Sequence, residues 1–306
     1  DRSVTFTGER YPVCGKRLPN FIPFVEEVLG IEFKAEPKIK EVSQKHVSIG
    51  EINKAFVDDL KKTFAPDRFT GDDSERILHS HGQHSTDEVY KVLYNKLEKF
   101  ADLVFYIETQ EETEQLIALA KKHNVCLIPY GGGTNVTNAL RPPKDETRMI
   151  VSVDTRRMNA IESLDEENLL VTVQAGITGK ELESRLNKQG FTVGHEPDSY
   201  EFSTVGGWIS TNAAGMKKHR YGNIEDIVQD LTMITPKGKI NQMMPLTRSS
   251  FGIKPQNIMF GTEGNFGIIT KATLKVHKLP ESSSYESIIF RDWETGVAFM
   301  YDLFHS

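Results

Sequence analysis

The chain has few cysteines and no long hydrophobic run, and each of these absences narrows its class. Its 306 residues include only 2 cysteines, Cys14 and Cys126, which are too few for a disulfide framework and fit a reducing compartment. No stretch approaches the roughly 20 apolar residues that a membrane-spanning helix needs. No signal peptide is visible. A formal net charge of −6 argues against general nucleic-acid binding.

Two common nucleotide-binding motifs are also missing. The sequence contains neither Gly-x-Gly-x-x-Gly, the dinucleotide fingerprint, nor the Walker A pattern. A content of 38% hydrophobic and 26% charged residues is that of a globular protein. Three segments are rich in glycine, and we expect them to serve another extended, phosphate-bearing ligand.

Strand and helix patterns alternate regularly from residue 101 onward. Strands are predicted at 103–107, 125–128, 150–153, 159–163, 169–173, 227–235 and 268–276. Capping boxes predict helix starts at Thr109 and Thr178, and Gly190 is well placed to end the second helix. This alternation predicts an α/β or α+β domain over residues 101–283, after a mostly helical region over 1–100.

The first glycine segment is Gly131-Gly132-Gly133, directly after the apolar run 125–128. Three glycines after a strand let the backbone approach a ligand and aim its N–H groups at an anion. Thr134 and Asn135 add hydrogen-bonding side chains. A flexible surface turn is the plainer alternative. Cys126 lies within the apolar run, which favours a small core residue over a nucleophile.

Two further segments are equally rich in small residues. Residues 202–215 combine glycine and alanine with the hydroxyl residues of Ser-Thr-Val-Gly-Gly, and residues 261–270 read Gly-Thr-Glu-Gly-Asn-Phe-Gly-Ile-Ile-Thr. A tightly packed helix start and a plain turn with a bulge are the alternatives. In this order, the three segments resemble the vanillyl-alcohol-oxidase-type FAD-binding domain over residues 101–283.

That resemblance implies an α+β fold, in which two subdomains hold a non-covalent FAD. The glycine loop would cradle the pyrophosphate, and the later segments would line the isoalloxazine and adenosine portions. The implied cofactor contacts are Pro129, Tyr130, Gly131, Gly132, Gly133, Thr134, Asn135, Pro197, Asp198, Ser199, Tyr200, Glu201, Phe202, Ser203, Ser210, Thr211, Asn212, Ala213, Thr262, Glu263, Gly264, Asn265, Phe266, Gly267 and Ile268.

The flanking residues extend the resemblance over nearly the whole chain. Residues 194–208, 215–226, 6–12 and 81–84 look like the family of alkyldihydroxyacetonephosphate synthases. This closer resemblance implies a transferase that exchanges the acyl group of acyl-dihydroxyacetone phosphate for a long-chain fatty alcohol. The flavin acts as an electron sink, with no net redox change. It also implies ether lipid and plasmalogen biosynthesis, a homodimer, peripheral membrane contact and the lumen of the peroxisome.

The family's catalytic tyrosine, histidine cluster and phosphate-binding arginine lie in a C-terminal cap domain. Only its beginning, residues 284–306, is present, so no residue here is assigned these roles, and we expect the natural protein to extend further. His195 is the one catalytic candidate, for proton transfer or for orienting the flavin. A structural, hydrogen-bonded histidine is the alternative.

Three local patterns allow two interpretations each. His79, His81 and His84 suggest a metal site, but no carboxylate or cysteine spacing completes it, which favours a solvated or core-linking loop. The basic run 216–220 is a solvated face or attracts a phosphate. The apolar cluster 21–25 packs on a neighbouring domain or contacts lipid.

Two other functions compete with the transferase. The first is an FAD-dependent oxidoreductase acting on a 2-hydroxy acid or alcohol, which would need an electron acceptor. The second is a flavin-binding module without catalysis.

Overall fold

The computed structural model describes residues 2–7, 11–34, 47–241, 250, 252 and 254–305. The chain divides into two compact units, residues 1–43 and 44–306. In the first unit, strand β1 (Val4–Thr5) pairs antiparallel with β2 (Arg17–Leu18), and helix α1 spans Phe21–Leu29. No residue of α1 is buried, and Phe24 is 61% exposed. The apolar cluster 21–25 is therefore the start of a helix with exposed apolar side chains.

The second unit mixes helices and strands, which confirms the α+β class. Its first part contains α2 (Lys54–Thr63), a 3-10 turn (Pro66–Arg68), β3 (Phe69–Thr70), α3 (Asp73–Leu78), α4 (Thr86–Leu93), β4 (Leu103–Tyr106), α5 (Gln110–His123), β5 (Cys126–Tyr130) and β6 (Ile150–Asp154). Its second part contains β7 (Ile161–Asp165), β8 (Leu170–Gln174), α6 (Gly179–Asn187), β9 (Phe191–Thr192), α7 (Val205–Ser210), α8 (Lys218–Tyr221), α9 (Ile224–Ile227), β10 (Val228–Thr235), β11 (Gly238–Asn241), α10 (Gln256–Met259), β12 (Ile268–Lys275), β13 (His277–Lys278) and α11 (Trp293–His305).

The first sheet of this unit has the strand order β3-β4-β6-β5. Strands β4 and β5 both run parallel to β6, while β3 is antiparallel to β4. Phe56 and Leu60 of α2, Leu116 of α5 and Phe105 of β4 share one hydrophobic core. Because three of the strands are parallel, their carboxyl ends meet at one edge, where the loops after β5 and β6 begin.

The second sheet has the order β11-β10-β12-β8-β7 and is antiparallel throughout. Its core contains Leu182 of α6 and Trp208 of α7, packed with residues of β8 and β12. Ile234 of β10 and Ile268 of β12 belong instead to the core of the first sheet. The two sheets therefore meet at the ends of β10 and β12.

The two predicted helix starts are confirmed, but only one of the two hydrogen bonds of a capping box forms at each. Thr109 Oγ1 accepts a hydrogen bond from the Glu112 amide (3.1 Å), and Thr178 Oγ1 accepts one from the Glu181 amide (3.3 Å). The reciprocal bond of a capping box forms in neither helix. Glu112 accepts from the Glu108 amide, and the Glu181 side chain pairs one turn further along its own helix.

A few predicted boundaries shift in the structure. The strand predicted from residue 227 starts at Val228, because residues 224–227 form α9. Gly190, with φ +82°, lies in the turn after α6, which already ends at Asn187. Cys126 is half-buried, and burial raises the pKa of its thiol, which fits a structural residue better than a nucleophile. Within the described residues, no helix has the length and hydrophobicity to cross a bilayer.

Candidate functional site

A cavity of about 400 Å³ lies where the two sheets meet. The three glycine segments, far apart in the sequence, come together in its wall. Of the predicted cofactor contacts, the wall contains Pro129, Tyr130, Gly131, Gly132, Gly133, Thr134, Asn135, Pro197, Asp198, Ser203, Ser210, Thr211, Ala213, Glu263, Gly264, Gly267 and Ile268. The others lie outside the lining, namely Ser199, Tyr200, Glu201, Phe202, Asn212, Thr262, Asn265 and Phe266. Which of these residues touch a cofactor stays a prediction.

Sequence reasoning missed several residues of the cavity wall. Outside the three glycine segments these are Val136, Thr137, Ala139, Leu140 and Thr155, and within those segments they are Thr204, Gly206, Gly207, Trp208, Ala214 and Ile269. Thr155 directly follows β6, and its position at the carboxyl edge of parallel strands was the signal that could have found it. The residues after Asn135 carry no glycine or motif, and only the course of the loop brings them to the cavity.

The glycine loop needs its glycines because other backbone lies against it. A Cβ on Gly132 would lie 2.0 Å from the carbonyl oxygen of Phe202, and one on Gly131 would lie 2.5 Å from Thr204 Oγ1. Gly133 adopts the left-handed region, with φ +67°. The first segment is therefore closely packed against the second, and a flexible surface turn is excluded.

The third segment meets the first in the same way. A Cβ on Gly264 would lie 2.8 Å from Pro129 Cδ, and its φ of +85° also favours glycine. On the opposite side, Trp208 Nε1 donates a hydrogen bond to Ser203 Oγ (2.8 Å), which fixes that hydroxyl at the cavity. The wall is thus built from close contacts between segments more than 60 residues apart.

A buried ionic cluster lies behind the glycine loop. Asp154, at the end of β6, accepts hydrogen bonds from His79 Nε2 (2.9 Å) and from the Arg156 guanidinium (2.5 Å). The other ring nitrogen of His79 faces the Glu75 carbonyl oxygen at 2.8 Å. Burial alone would raise the pKa of Asp154, but the His79 and Arg156 hydrogen bonds outweigh it and hold that pKa below its ordinary value.

Tyr130 connects this cluster to the loop. It is the last residue of β5, and its ring centroid lies 4.4 Å from that of His79. The Arg156 guanidinium carbon lies 5.4 Å from the same ring. The tyrosine that precedes the three glycines is therefore held in place by the cluster.

The three histidines of residues 79–84 have structural partners. His79 and His81 are buried, and His81 Nδ1 lies 2.7 Å from the Gly82 carbonyl oxygen. His84 Nδ1 lies 2.9 Å from Ser199 Oγ. In the described ranges, no group of three or more histidine, cysteine or acidic side chains could hold a metal ion. The loop links core elements, as one of the two sequence interpretations proposed, and its first histidines are not solvated.

The basic run 216–220 is only partly free. Lys217 Nζ pairs with Glu196 Oε1 at 2.6 Å, and this hydrogen bond raises the pKa of the lysine. The His219 ring stacks on Phe304 of α11, with the ring centroids 4.1 Å apart. Lys218 and Arg220 remain exposed and could attract an anion.

His195 is buried beside Trp208, with the ring centroids 5.0 Å apart, and does not line the cavity. Within the described part of the chain, neither of its ring nitrogens has a hydrogen-bond partner. The alternative of a structural, hydrogen-bonded histidine is therefore wrong in one part, because His195 makes no such hydrogen bond to any described residue. Burial lowers the pKa of His195 from 6.5 to about 4, so the ring is neutral at pH 7.

We expect acidification to destabilise the protein through His195. The unfolded chain takes up this proton near pH 6.5, whereas the folded chain does so only near pH 4, so stability falls as pH drops between these values. The His195→Gln variant should lose this component. Denaturant unfolding of both proteins at pH 7 and pH 5 measures it, and equal pH slopes would contradict the prediction.

Two features of the cavity wall bear on whether FAD fits it. The Oδ1 and Nδ2 atoms of Asn135 are buried and have no partner in the described residues, so a ligand with both donors and acceptors would satisfy them. The loop 131–133, which carries no Cβ atoms, forms part of the cavity wall with its backbone. Both features fit a phosphate-bearing, extended cofactor.

Comparisons with known proteins agree with this geometry. The model of a family described as FAD binding domain matches residues 101–243. Residues 101–243 of this chain therefore form an FAD-binding domain. Its cofactor is therefore FAD, and the features of the cavity that fit it lie in the first glycine segment, residues 131–135.

Two of the flavoproteins that resemble this chain carry the same name. The alkyldihydroxyacetonephosphate synthase of Caenorhabditis elegans is 39% identical over 299 residues, which is 98% of this chain and 50% of that protein. A solved structure of an alkyldihydroxyacetonephosphate synthase superposes with a TM-score of 0.78 at 37% identity, covering 87% of this chain and 49% of that one. The chain thus spans about half the length of these relatives.

A mitochondrial D-lactate dehydrogenase [cytochrome] of Arabidopsis thaliana is more distant. It is 28% identical over 234 residues, which is 76% of this chain and 39% of that protein. This relative with a dehydrogenase name is therefore similar to a smaller share of the chain than the Caenorhabditis elegans protein.

Proposed function

We propose that this chain is the FAD-binding part of an alkyl transferase that forms the ether bond of ether lipids. The enzyme exchanges the acyl group of acyl-dihydroxyacetone phosphate for a long-chain fatty alcohol, without net redox change. One observation carries the proposal: the similarity to an alkyldihydroxyacetonephosphate synthase extends over 98% of the chain. It therefore includes the flanks outside residues 101–243, the part that the FAD-binding family model matches.

FAD supplies an electron sink for this exchange when it is bound. The residues of this chain bind and orient it. The glycine loop offers backbone N–H groups to the pyrophosphate, and Ser203, Thr211 and Asn135 offer side-chain hydrogen bonds along the cavity. The neutral, buried His195 supports Trp208 behind the second segment and does not reach the cavity. By the resemblance, the acid–base groups and the phosphate-binding arginine belong to a C-terminal cap domain, and none of these roles is assigned to a residue of this chain.

An exchange assay under anaerobic conditions tests the proposal. The full-length protein, loaded with FAD, is given acyl-dihydroxyacetone phosphate and labelled hexadecanol, with no electron acceptor. We expect labelled ether lipid and one released fatty acid for each product molecule. The same protein stripped of FAD is the control and should form none.

The opposite outcome would identify the oxidoreductase. A flavin-loaded protein that forms no ether lipid, but whose flavin is bleached by a D-2-hydroxy acid, would contradict the transferase. Reoxidation by a dye acceptor would then complete the oxidoreductase cycle.

The cellular setting follows from the same proposal. The resemblance to the alkyldihydroxyacetonephosphate synthases implies the peroxisomal lumen, a homodimer and contact with a membrane that holds the two lipid substrates. The exposed apolar side chains of α1, such as Phe24 (61% exposed) and Val28 (63%), support membrane contact. Liposome sedimentation of a Phe24→Ser/Val28→Ser variant would measure it, and unchanged binding would contradict this part.

A further inference from the structure

Residues 82–84, here called the clasp, connect α3 to α4 and lie outside the segment matched by the FAD-binding family model. None of the three lines the cavity. They nevertheless contact two separate parts of its wall. The generic FAD-binding domain does not include them, so the similarity to that domain assigns them no role.

The clasp binds the glycine loop with its backbone and with a side chain. The Gln83 amide donates to the Gly133 carbonyl oxygen (2.7 Å), and Gln83 Nε2 donates to the Tyr130 hydroxyl (2.7 Å). Gly82 packs so closely that a Cβ on it would lie 2.6 Å from the Asn135 carbonyl oxygen. Both ends of the loop, Tyr130 and Asn135, are therefore fixed by neighbouring residues of one short segment.

The clasp binds the opposite part of the wall through its last residue. His84 Nδ1 and Ser199 Oγ are 2.9 Å apart. Ser199 has a left-handed backbone, with φ +57°, in the segment that runs from Pro197 to Ser203 along the cavity. The Ser199 carbonyl oxygen also accepts from the amides of Phe202 and Ser203. A hydrogen bond at Ser199 therefore steadies the turn that lies against Gly132.

We propose that the clasp acts as a positioning element that holds the two parts of the wall at a fixed spacing and so retains FAD. Gln83 and His84 are its positioning residues, and neither needs to touch the cofactor. Their hydrogen bonds oppose separation of the glycine loop from residues 197–203. This inference rests on the FAD site and is independent of the reaction that the flavin serves.

The test measures the rate at which FAD leaves the protein. FAD-loaded wild type, His84→Ala, Ser199→Ala and the double variant are diluted, and the rise in flavin fluorescence is followed. Losing one hydrogen bond should raise the dissociation rate about threefold to tenfold. Because both single variants break the same bond, the double variant should dissociate no faster than the faster single variant.

Two further variants separate positioning from folding. His123→Ala removes a histidine bond of the same length, 2.9 Å from Nε2 to Asp59, far from the clasp in sequence and outside the cavity wall. We expect it to leave the FAD dissociation rate unchanged. Gln83→Met, of nearly the same size, should raise the rate through the Tyr130 contact even if His84→Ala does not fold.

The amount of FAD bound per chain is measured as well. If the clasp residues served only folding, this amount would change and the FAD dissociation rate would not. Partial unfolding lowers the amount of FAD bound per chain but leaves the dissociation rate of the bound fraction as in wild type. Wild-type dissociation rates in both His84→Ala and Gln83→Met, or additive effects in the double variant, would overturn the proposal. A wild-type protein that retains no FAD would overturn it together with the cofactor site, whatever the exchange assay shows.

Discussion

The Gly132→Ala variant should lose most of its affinity for FAD. The added Cβ would lie 2.0 Å from the Phe202 carbonyl oxygen, 2.6 Å from its carbonyl carbon and 2.9 Å from Ser203 Cα. All three are backbone atoms, so no side chain can rotate away and the two segments must separate. Overpacking of this kind costs about 1–3 kcal/mol, which corresponds to roughly a fivefold to hundredfold loss of affinity if the strain is relieved at the cofactor.

The part of the structure that takes up this strain determines whether FAD affinity falls. The turn against Gly132 is held by hydrogen bonds of 2.9 Å from the Phe202 and Ser203 amides to the Ser199 carbonyl oxygen. The glycine loop is held by Tyr130 and Gln83. Because both sides are braced, we expect the strain to appear as a distorted cavity wall. Titration of the apoprotein with FAD, followed by quenching of flavin fluorescence, gives the affinity.

Gly71→Ala is the matched control for this experiment. Gly71 has no atom within 4 Å of the position of an added Cβ, and its φ lies outside the left-handed region. It follows β3 at the surface, away from the cavity. This variant should bind FAD like the wild type, with a stability equal or slightly higher. Equal FAD affinity in Gly132→Ala and Gly71→Ala would show that the glycine loop does not hold the cofactor.

The Asp154→Asn variant should be strongly destabilised. The side chain of Asp154 is only 2% exposed, and its two oxygens accept from His79 and from the guanidinium and amide of Arg156. An amide replaces one acceptor by a donor, which would then face another donor, and it leaves the Arg156 guanidinium, which is 41% exposed, without its carboxylate partner. Breaking a buried pair in this way costs about 3–5 kcal/mol. Urea denaturation gives the free energy of unfolding directly.

The pH dependence provides a second observable for Asp154. Its pKa is held below the ordinary value, so its contribution to stability is fully present above pH 4 and is lost as pH falls through the lowered pKa of the folded state. The difference in unfolding free energy between wild type and Asp154→Asn should therefore shrink on acidification below about pH 4. A constant difference would mean that the carboxylate charge is not what stabilises the fold.

Asp59→Asn is the control for the buried position. Asp59 also accepts from a histidine, His123 Nε2 (2.9 Å), and from a cation, Lys122 Nζ (2.7 Å), but its side chain is 24% exposed and Lys122 is 64% exposed. Pairs at the surface contribute about 0–1 kcal/mol. A loss of stability in Asp59→Asn as large as that in Asp154→Asn would contradict the assignment of the effect to burial.

Several features of this protein were readable from the sequence because they depend on local requirements. A run of apolar residues followed by Gly131-Gly132-Gly133 predicts a strand and a close backbone approach, and the structure has β5 ending at Tyr130 before that loop. The alternation of helix and strand patterns predicted an α/β or α+β domain, and the resemblance to the FAD-binding domain implied the α+β class. Three glycine segments in a fixed order indicated the FAD-binding fold, which the match over residues 101–243 confirms.

Only the tertiary structure showed which atoms pack against the glycines and which side chains support the cavity wall. Gly132 faces Phe202, His79 pairs with Asp154 and His84 with Ser199, at sequence separations of 70, 75 and 115 residues. No periodicity or motif encodes such contacts, because they arise only when separate elements pack together. The histidine run 79–84 suggested a metal site or a solvated or core-linking loop, and in the structure it links core elements through the His79–Asp154 and His84–Ser199 contacts. The local backbone conformation can therefore be predicted from neighbouring residues. The partners of buried polar groups depend on how residues far apart in the sequence pack together.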